Sequence, residues 1–263
     1  MAASPVPDLD VLIAFADRLA DAAGAAIRPH FRQPIDVVSK ADASPVTIAD
    51  RNSERAMRDL IEAHYPDHGI YGEEFGVVRP DADYVWILDP VDGTKSFITG
   101  LPIFGTLIAL CHRDEPIIGI IDQPILRERW TGASGRATLL NGRPVRVRPC
   151  AGFSEAALFT TSNELFSPEE TVAFRKILQQ IRVFRLSGDC YAFAMLASGF
   201  ADLVVESKVQ PYDFAALIPV VQGAGGVITD WAGAKLSVRQ PSRVLASGDT
   251  GLHQKALALL AGC

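Results

Sequence analysis

The spacing of apolar residues along the chain predicts two helices near its start. In residues 8–28, and again in residues 47–64, apolar side chains recur every three or four positions, which places them on one face of a helix. Pro29 and Pro66 follow these two segments closely. Because proline cannot continue a helix, we expect the two helices to end there.

Short runs of β-branched and aromatic residues predict strands in the middle of the chain, at residues 84–88, 104–111 and 116–122, with hairpins in residues 129–148. Beyond them, predicted helices alternate with predicted strands. The helices cover residues 167–181, 189–198, 212–222 and a last segment ending at residue 260, and the strands cover residues 183–186, 201–206, 227–230 and 243–247. This order predicts an α/β (α+β) protein with helices layered on mixed sheets.

Length and composition restrict the classes of protein that fit. A chain of 263 residues with 48% hydrophobic content can bury a large core. We expect one large domain or two packed halves, an N-terminal α+β half in residues 1–150 and a C-terminal α/β half in residues 151–263. A net charge of −6, without any run of five Lys or Arg residues, disfavours nucleic-acid binding.

The chain carries few signs of export, membrane insertion or cysteine chemistry. No segment reaches the roughly 18 consecutive apolar residues of a membrane helix. The first residues lack the basic and apolar regions of a signal peptide, so we expect a cytoplasmic protein. The four cysteines are far apart, which disfavours a zinc site or a disulfide framework.

The segment DPVDGT at residues 89–94 is the strongest chemical signal. A hydrophobic strand runs directly into Asp89 and Asp92, and Pro90 ends regular pairing because it cannot donate to a sheet. The turn can bring both carboxylates and the Val91 carbonyl to one side. Three oxygen ligands of this kind suit a hard cation such as Mg²⁺.

The end of the same segment predicts an anion site. Gly93 allows the backbone to approach a ligand closely. A short helix starting near Thr94 would direct free N–H groups toward a phosphate. The alternative is an ordinary Asp-Gly turn after a strand, because short motifs also occur without function.

Three other segments have ordinary explanations when each is taken alone. The tandem glutamates of Gly72-Glu73-Glu74 resemble an exposed turn. Asp213 begins an apolar helix, where an acidic side chain interacts favourably with the helix dipole. Asp50 and Thr47 lie where a helix begins, and either can cap it.

Taken together and in this order, the segments resemble the inositol monophosphatase superfamily of metal-dependent phosphatases. The matching signatures are GEE at residues 72–74, DPVDGTKSF at residues 89–97 and PYDFAALIPVVQGAGG at residues 211–226. The resemblance implies a layered αβαβα sugar-phosphatase fold with mixed sheets. It also implies a Mg²⁺-dependent phosphomonoesterase that acts on a small molecule and forms a homodimer.

The resemblance implies a set of metal ligands. The residue matching Glu73 binds a first metal with Asp89 and the carbonyl of Val91. Asp89 bridges to a second metal, which Asp92 and Asp213 also hold. A third, weaker Mg²⁺ is often shared near Glu73, so two or three Mg²⁺ ions are expected. Four clustered carboxylates repel one another, and divalent cations relieve that repulsion.

The resemblance also implies catalytic and phosphate-binding residues. The residues matching Asp50 and Thr94 orient and deprotonate the attacking water, and Glu73 belongs with them. Gly93, Thr94 and Asp92 contact the phosphate or the substrate. No nucleophilic Ser or Cys motif is evident, so no covalent intermediate is expected.

The segment SGDCYAFA at residues 187–194 looks most like the histidinol-phosphate phosphatase branch, since the inositol branch usually has a small or hydroxyl residue in place of Asp189. Histidinol phosphate carries an ammonium group and an imidazole, so its pocket needs acidic acceptors. Asp189 and Glu206 are the candidates. A helix N-cap is the alternative for Asp189.

The expected reaction is hydrolysis of L-histidinol phosphate to L-histidinol and phosphate, a step of histidine biosynthesis. One alternative is a phosphatase for inositol 1-phosphate or for a broad range of sugar phosphates. An alternative of another class is a catalytically silent, metal-binding regulatory module. Such a module could lose ligands, whereas this sequence has every expected one.

Overall fold

The computed structural model describes residues 8–34, 38–39 and 45–261. Within them are eight α-helices: α1 Leu9–Ile27, α2 Ile48–His64, α3 Thr94–Ile98, α4 Pro168–Leu178, α5 Asp189–Ala197, α6 Pro211–Phe214, α7 Leu217–Gly223 and α8 Thr250–Leu260. The strands of the same residues are β1 Val38–Ser39, β2 Pro45–Val46, β3 Gly69–Gly72, β4 Gly76–Val78, β5 Tyr84–Asp92, β6 Gly105–His112, β7 Glu115–Gln123, β8 Glu128–Ala133, β9 Leu139–Leu140, β10 Arg143–Pro144, β11 Ala157–Thr160, β12 Val183–Leu186, β13 Leu203–Val209, β14 Val227–Thr229 and β15 Ser242–Ser247.

Two mixed sheets form the frame. The first has the strand order β10-β9-β8-β7-β6-β5-β3-β4, in which β3 and β5 are parallel and the other neighbours antiparallel. The second has the order β12-β11-β13-β15-β14, in which β11 is parallel to β12 and β13. Residue 150, where the sequence predicts a division of the chain, lies between the last strand of the first sheet and the first strand of the second.

Alternating side chains of the strands build the layers. On β6, Ile108 and Leu110 pack with the apolar faces of α1 and α2, whereas Leu107 and Ala109 pack with α5 and α7 on the opposite face. On β13, Val204 joins that central layer while its neighbours pack with α4 and α8. The layers therefore follow the predicted αβαβα order.

Local signals in the sequence determine where several helices begin. The Ser167 hydroxyl accepts from Glu170 N at 3.2 Å, and Ser167 N donates to Glu170 Oε2 at 2.8 Å, a capping box with Pro168 at the first helical position. The helix predicted to reach residue 181 ends at Leu178. Gln180 N instead donates to the Ile177 carbonyl, three residues back, and this tighter turn leads into β12.

The single helix predicted for residues 212–222 is two helices, α6 and α7. Pro219 lies in the second one, has no N–H to donate and would place its ring against the carbonyl of Ala215, four residues earlier. The chain therefore breaks between Phe214 and Leu217. At this break the chain packs closely on β7 of the first sheet. A Cβ added to Gly119 of β7 would lie only 2.0 Å from the carbonyl oxygen of Ala216.

Two strands that the sequence analysis did not predict, β3 and β11, lie next to strands that carry candidate site residues. Cys111, Cys150 and Cys190 are free and buried. No helix in the described ranges has both the length and the apolar character needed to cross a membrane.

Candidate active site

The carboxyl ends of two parallel strands bring Glu73 beside Asp89. Gly72, at the end of β3, pairs with Leu88 of β5, and Glu73 N donates to the Leu88 carbonyl at 3.2 Å. Glu73 was predicted to lie in a turn after the second helix. The structure adds β3 before that turn, and the parallel pairing places Glu73 and Asp89 at the same edge of the sheet.

A bulge in β5 shapes the DPVDGT segment. Asp89 pairs with Leu107 and Asp92 with Gly105, so three residue steps on β5 oppose two on β6. Asp89 Oδ1 accepts from Val91 N at 3.0 Å. Regular pairing is therefore interrupted at Pro90, as the sequence predicts.

Three predicted ligands converge on one point. One oxygen from each of Asp89, Asp92 and Asp213 lies within 4.8 Å of the others. Asp213 arrives from α6, where its Oδ2 also accepts from Gln210 N at 2.6 Å and caps the helix. Asp213 therefore lies at the helix start, as its ordinary explanation requires, and also takes part in the cluster.

The buried charges of this cluster oppose one another. Burial raises the pKa of Asp89 well above its ordinary value, and the carboxylates of Glu73, Asp92 and Asp213 raise it further. Burial likewise raises the pKa of Asp92, and the negative charges of Asp189 and Asp213 raise it further. Carboxylates held together in this way need positive charge to ionise.

The donor set fits Mg²⁺. The clustered side chains offer carboxylate oxygens, and the Val91 carbonyl accepts from Thr94 Oγ1 at 3.2 Å on the same turn. Hard divalent cations prefer such oxygen ligands. The raised pKa values of Asp89 and Asp92 have the same origin, because the clustered carboxylates favour a nearby positive charge.

Asp50 performs two tasks at the start of α2. Its Oδ2 accepts from Thr47 N at 2.9 Å and from Thr47 Oγ1 at 2.5 Å, which completes a capping box. Its Oδ1 accepts from Thr94 Oγ1 at 3.4 Å. Burial raises the pKa of Asp50, the hydrogen bonds from Thr47 partly offset this rise, and the charge of Glu73 adds to it.

Two features require glycine at position 93: its backbone conformation and the closeness of Asp189. It has φ 85° and begins α3 as the N-cap. A Cβ on Gly93 would lie 2.6 Å from Asp189 Oδ2, so a larger residue does not fit. The first N–H groups of α3 have no partners within the helix and are available to an anion.

Asp189 is not the N-cap of its helix. Gly188 occupies that position, and no side chain caps α5. The Asp189 carboxylate instead accepts from Ser96 Oγ at 2.6 Å, against Gly93. Burial raises its pKa, which the Ser96 hydrogen bond and Lys95 partly offset. The N-cap alternative is therefore wrong, and Asp189 lies beside the DPVDGT segment.

Glu206 is buried on β13 and held from β11. It accepts from Thr161 N at 2.7 Å and from Thr161 Oγ1 at 2.9 Å. Burial raises the pKa of Glu206 to about 8. The hydrogen bonds from Thr161 lower this pKa, and the negative charge of Asp189 raises it.

The observation that decides the family is a sequence model of the inositol monophosphatase family, which matches residues 8–262. The chain belongs to this family. A relative, the bifunctional phosphatase IMPL2, chloroplastic, of Arabidopsis thaliana, is 52% identical over 262 residues, which cover 96% of this chain and 76% of the relative. A histidinol-phosphatase of Chlorobaculum parvum is 36% identical over 247 residues, 93% of this chain and 94% of that protein.

A solved structure of an inositol monophosphatase from Zymomonas mobilis has a TM-score of 0.89 and 46% sequence identity, covering 97% of this chain and 99% of the other. It confirms the predicted fold. Inositol monophosphatase family enzymes are metal-dependent phosphatases, so the chain is a phosphatase and a hydrolase.

A separate cavity of about 660 Å³ contains none of the predicted site residues. It lies against α1 and the strands β7 to β9, where Arg129 binds Asp21 and Asp122 at 2.7 Å each. Arg129 also pairs with Asp17 at 3.3 Å, so the three aspartates that line the cavity share one guanidinium. None of its lining residues belongs to the carboxylate cluster of Asp89, Asp92 and Asp213.

Some supporting residues of the site were not predicted. Glu54 of α2 binds the turn that contains Glu73. Thr161, which follows β11, binds the side chain of Glu206. Ser96 holds Asp189. Only Glu54 had a usable signal, because it lies four residues after Asp50 and so on the same face of a helix.

The metal-free protein should lose stability as the pH rises above about 4. The pKa values of Asp89 and Asp92 are raised in the folded state, so the unfolded chain releases those protons first. Mg²⁺ should offset this repulsion. Thermal unfolding with EDTA and with Mg²⁺ should therefore show a larger Mg²⁺-dependent rise in Tm near pH 8 than near pH 5. Equal rises at both pH values would contradict the coupling of the cluster to a cation.

Proposed function

We propose that this phosphatase hydrolyses L-histidinol phosphate to L-histidinol and phosphate, as a Mg²⁺-dependent step of histidine biosynthesis. The observation that carries the proposal is the presence of two acidic side chains beyond the cluster: Glu206, which is buried, and Asp189, which is partly exposed and lies against Gly93 of the DPVDGT segment. A substrate with an ammonium group and an imidazole would match these two carboxyls. The histidinol-phosphatase relative at 36% identity supports the same branch.

The residues that would hold Mg²⁺ are Glu73, Asp89, the Val91 carbonyl, Asp92 and Asp213. When bound, Mg²⁺ would neutralise the phosphate, lower the pKa of the attacking water and stabilise the leaving oxygen. The residue types and their convergence support this assignment.

The proton path begins at Thr94. Water would donate a hydrogen bond to Thr94 Oγ1, which lies 3.4 Å from Asp50 Oδ1 and 3.2 Å from the Val91 carbonyl; in the proton path the single hydroxyl proton would turn from Val91 to Asp50. Asp50 then accepts the proton released as the water oxygen bonds to phosphorus. Its raised pKa favours that acceptance.

The phosphate is held at the start of α3. N–H groups of Gly93 and of the first helical residues would donate to its oxygens. The bond between phosphorus and the alcohol oxygen breaks, and the alcohol oxygen takes a proton from solvent. The products are the alcohol and inorganic phosphate, without a covalent enzyme intermediate.

Phosphate release from the purified protein tests the proposal. With Mg²⁺ present, L-histidinol phosphate should be preferred to inositol 1-phosphate by about tenfold or more in kcat/KM, which equals about 1.4 kcal/mol. EDTA should stop the reaction with both substrates. A preference for inositol 1-phosphate would refute the histidinol phosphate assignment and leave the metal chemistry standing.

Inositol 1-phosphate is the second candidate substrate, alongside a broader range of sugar phosphates. The observation that favours it is the 46% identity to a solved inositol monophosphatase. An inositol ring carries no positive charge, so it can hydrogen-bond to the two carboxyls but cannot form an ion pair with them. For this reason we rank it below histidinol phosphate.

Substitution of the acidic pair should separate the two substrates. Glu206→Gln and Asp189→Asn each remove a charge-assisted hydrogen bond, worth about 1.5–3 kcal/mol, so KM for histidinol phosphate should rise roughly 10- to 100-fold. KM for an aryl phosphate, whose leaving group has no positive charge, should change little. Glu155→Gln, at an exposed position, is the matched control. Equal effects on both substrates would argue against recognition by charge.

The pH dependence of KM provides a second test of the proposed role of Glu206 in binding histidinol phosphate. Because the pKa of Glu206 is raised to about 8, its carboxylate becomes fully populated only as the pH passes that value. KM for histidinol phosphate should therefore fall as the pH approaches 8, relative to KM for the aryl phosphate.

We further propose a cytoplasmic homodimer, on the basis of the family resemblance. Size-exclusion chromatography with light scattering should give a mass of about twice 28.3 kDa. A monomer at micromolar concentration would contradict the assignment.

A further inference from the structure

The turn that contains Glu73 is hydrogen-bonded to a buried glutamate of α2, Glu54. Glu54 is fully buried, and its Oε2 accepts from Glu74 N at 2.7 Å while its Oε1 accepts from Phe75 N at 3.2 Å. Glu73 N itself donates to Leu88 of β5. All three backbone N–H groups of the turn between β3 and β4 are therefore bound.

Arg58 completes this support. Its Nε donates to Glu54 Oε1 at 2.7 Å, which compensates the buried charge of Glu54. Its guanidinium also donates to the Gly76 carbonyl, at the far end of the turn. The pair Glu54–Arg58 thus binds both sides of the segment that carries Glu73.

Gly72 leaves the space that the Glu54 carboxylate occupies. A Cβ on Gly72 would lie 1.9 Å from Glu54 Oε1. The glycine of the GEE motif is therefore explained by Glu54 and not by its own φ angle, which lies outside the left-handed region.

The same helix also carries Asp50, one turn before Glu54. Asp50 reaches Thr94, and Glu54 reaches the turn of Glu73. Since α2 is one rigid element packed on the first sheet, it links the two halves of the site.

We propose that Glu54, assisted by Arg58, is a positioning residue that sets the geometry of Glu73 as a metal ligand and couples it to Asp50. The inference rests on the metal role proposed for Glu73. Glu54 itself contacts neither metal nor substrate. Its effect should therefore appear in metal affinity more than in the affinity for the phosphomonoester.

The principal variant is Glu54→Gln, which retains the size of the side chain. One carboxylate oxygen becomes an NH₂ group, which cannot accept from a turn N–H or from Arg58. Calorimetric titration with Mg²⁺, without substrate, should show an affinity lowered roughly 10- to 100-fold. Activity should recover at high Mg²⁺, and KM for the phosphomonoester at saturating Mg²⁺ should stay close to that of the wild type.

Met57→Ala is the control for general destabilisation. Met57 is fully buried in the same helix and contacts the apolar layer. This variant should lower Tm and leave Mg²⁺ affinity unchanged. Wild-type Mg²⁺ affinity in Glu54→Gln, or an equal loss in Met57→Ala, would overturn the proposal.

A double-mutant cycle between Gly72 and Glu54 provides a second test, which does not depend on whether the Glu54→Gln variant folds. Gly72→Ala should weaken Mg²⁺ binding because its Cβ displaces the Glu54 carboxylate. In the Glu54→Ala background that collision is absent, so Gly72→Ala should add little. Additive effects would overturn the coupling.

The wild-type protein separates this inference from the proposed function. A wild type that binds Mg²⁺ but leaves histidinol phosphate intact refutes the substrate assignment, and the Glu54 titrations still decide the positioning role. A wild type that binds no Mg²⁺ removes the metal role of Glu73, and the present proposal is refuted with it.

Discussion

Asp92→Asn should lower kcat for phosphate release by at least about 10³-fold, equivalent to about 4 kcal/mol of transition-state stabilisation. Asp92 is one of three carboxylates that converge within 4.8 Å. Asparagine has nearly the same shape, and its oxygen can still accept from Cys190 N, as the Oδ2 of Asp92 does. The fold should therefore persist while the cation loses a charged ligand.

Removal of this charge should also alter stability. Without metal, Asp92→Asn should be more stable than the wild type near pH 8, because burial and the neighbouring carboxylates disfavour ionised Asp92. Thermal unfolding in EDTA measures this difference. Asp83→Asn, at an exposed aspartate paired with Arg113, is the control and should change neither activity nor stability strongly.

The same variant distinguishes an enzyme from a silent metal-binding module. If the wild type releases phosphate and Asp92→Asn does not, the cluster is catalytic. Full activity in Asp92→Asn would remove Asp92 from the ligand set. A wild type that binds Mg²⁺ but releases phosphate from none of the tested phosphomonoesters would favour the silent module.

Thr94→Val should reduce kcat by about 10²- to 10⁴-fold, the range typical of general acid–base groups. Valine keeps the branched shape of threonine but removes the hydroxyl that lies 3.4 Å from Asp50 Oδ1 and 3.2 Å from the Val91 carbonyl. The proton of the attacking water then has no path to Asp50. Calorimetric Mg²⁺ affinity should remain near that of the wild type, because the side chain of Thr94 is not one of the proposed metal ligands.

Thr94→Ser is the matched control, since serine restores the hydroxyl and removes only a methyl group. It should recover most of the activity lost in Thr94→Val. If serine is as inactive as valine, packing of the methyl group, and not the hydroxyl, accounts for the requirement at this position.

Much of the site follows from short segments whose geometry is local. Asp89, Val91 and Asp92 lie within four residues, and Pro90 between them prevents regular pairing. Their convergence therefore depends on one bulge, which the sequence indicates. The break between α6 and α7 is equally local, because Pro219 acts on a carbonyl four residues earlier.

The position of Glu73 illustrates what local reasoning could not provide. A tandem glutamate in a turn looks like exposed surface. Only the parallel pairing of β3 with β5 shows that Glu73 follows Gly72 to the same sheet edge as Asp89. Pairing between strands of different segments depends on the whole sheet, and the four residues of β3 have too little pattern to predict it.

The residue pattern by itself determined the local turn at residues 89–94, most of the helix starts and the order of elements, because these features depend on interactions among residues a few positions apart. The full set of candidate ligands and the αβαβα layering were expected from the family resemblance. Only the tertiary structure decided that Asp189 faces Ser96 and not its own helix, and that Glu54 supports the turn of Glu73. Both contacts join segments distant in sequence, and such contacts exist only after the core has brought the strands and helices together.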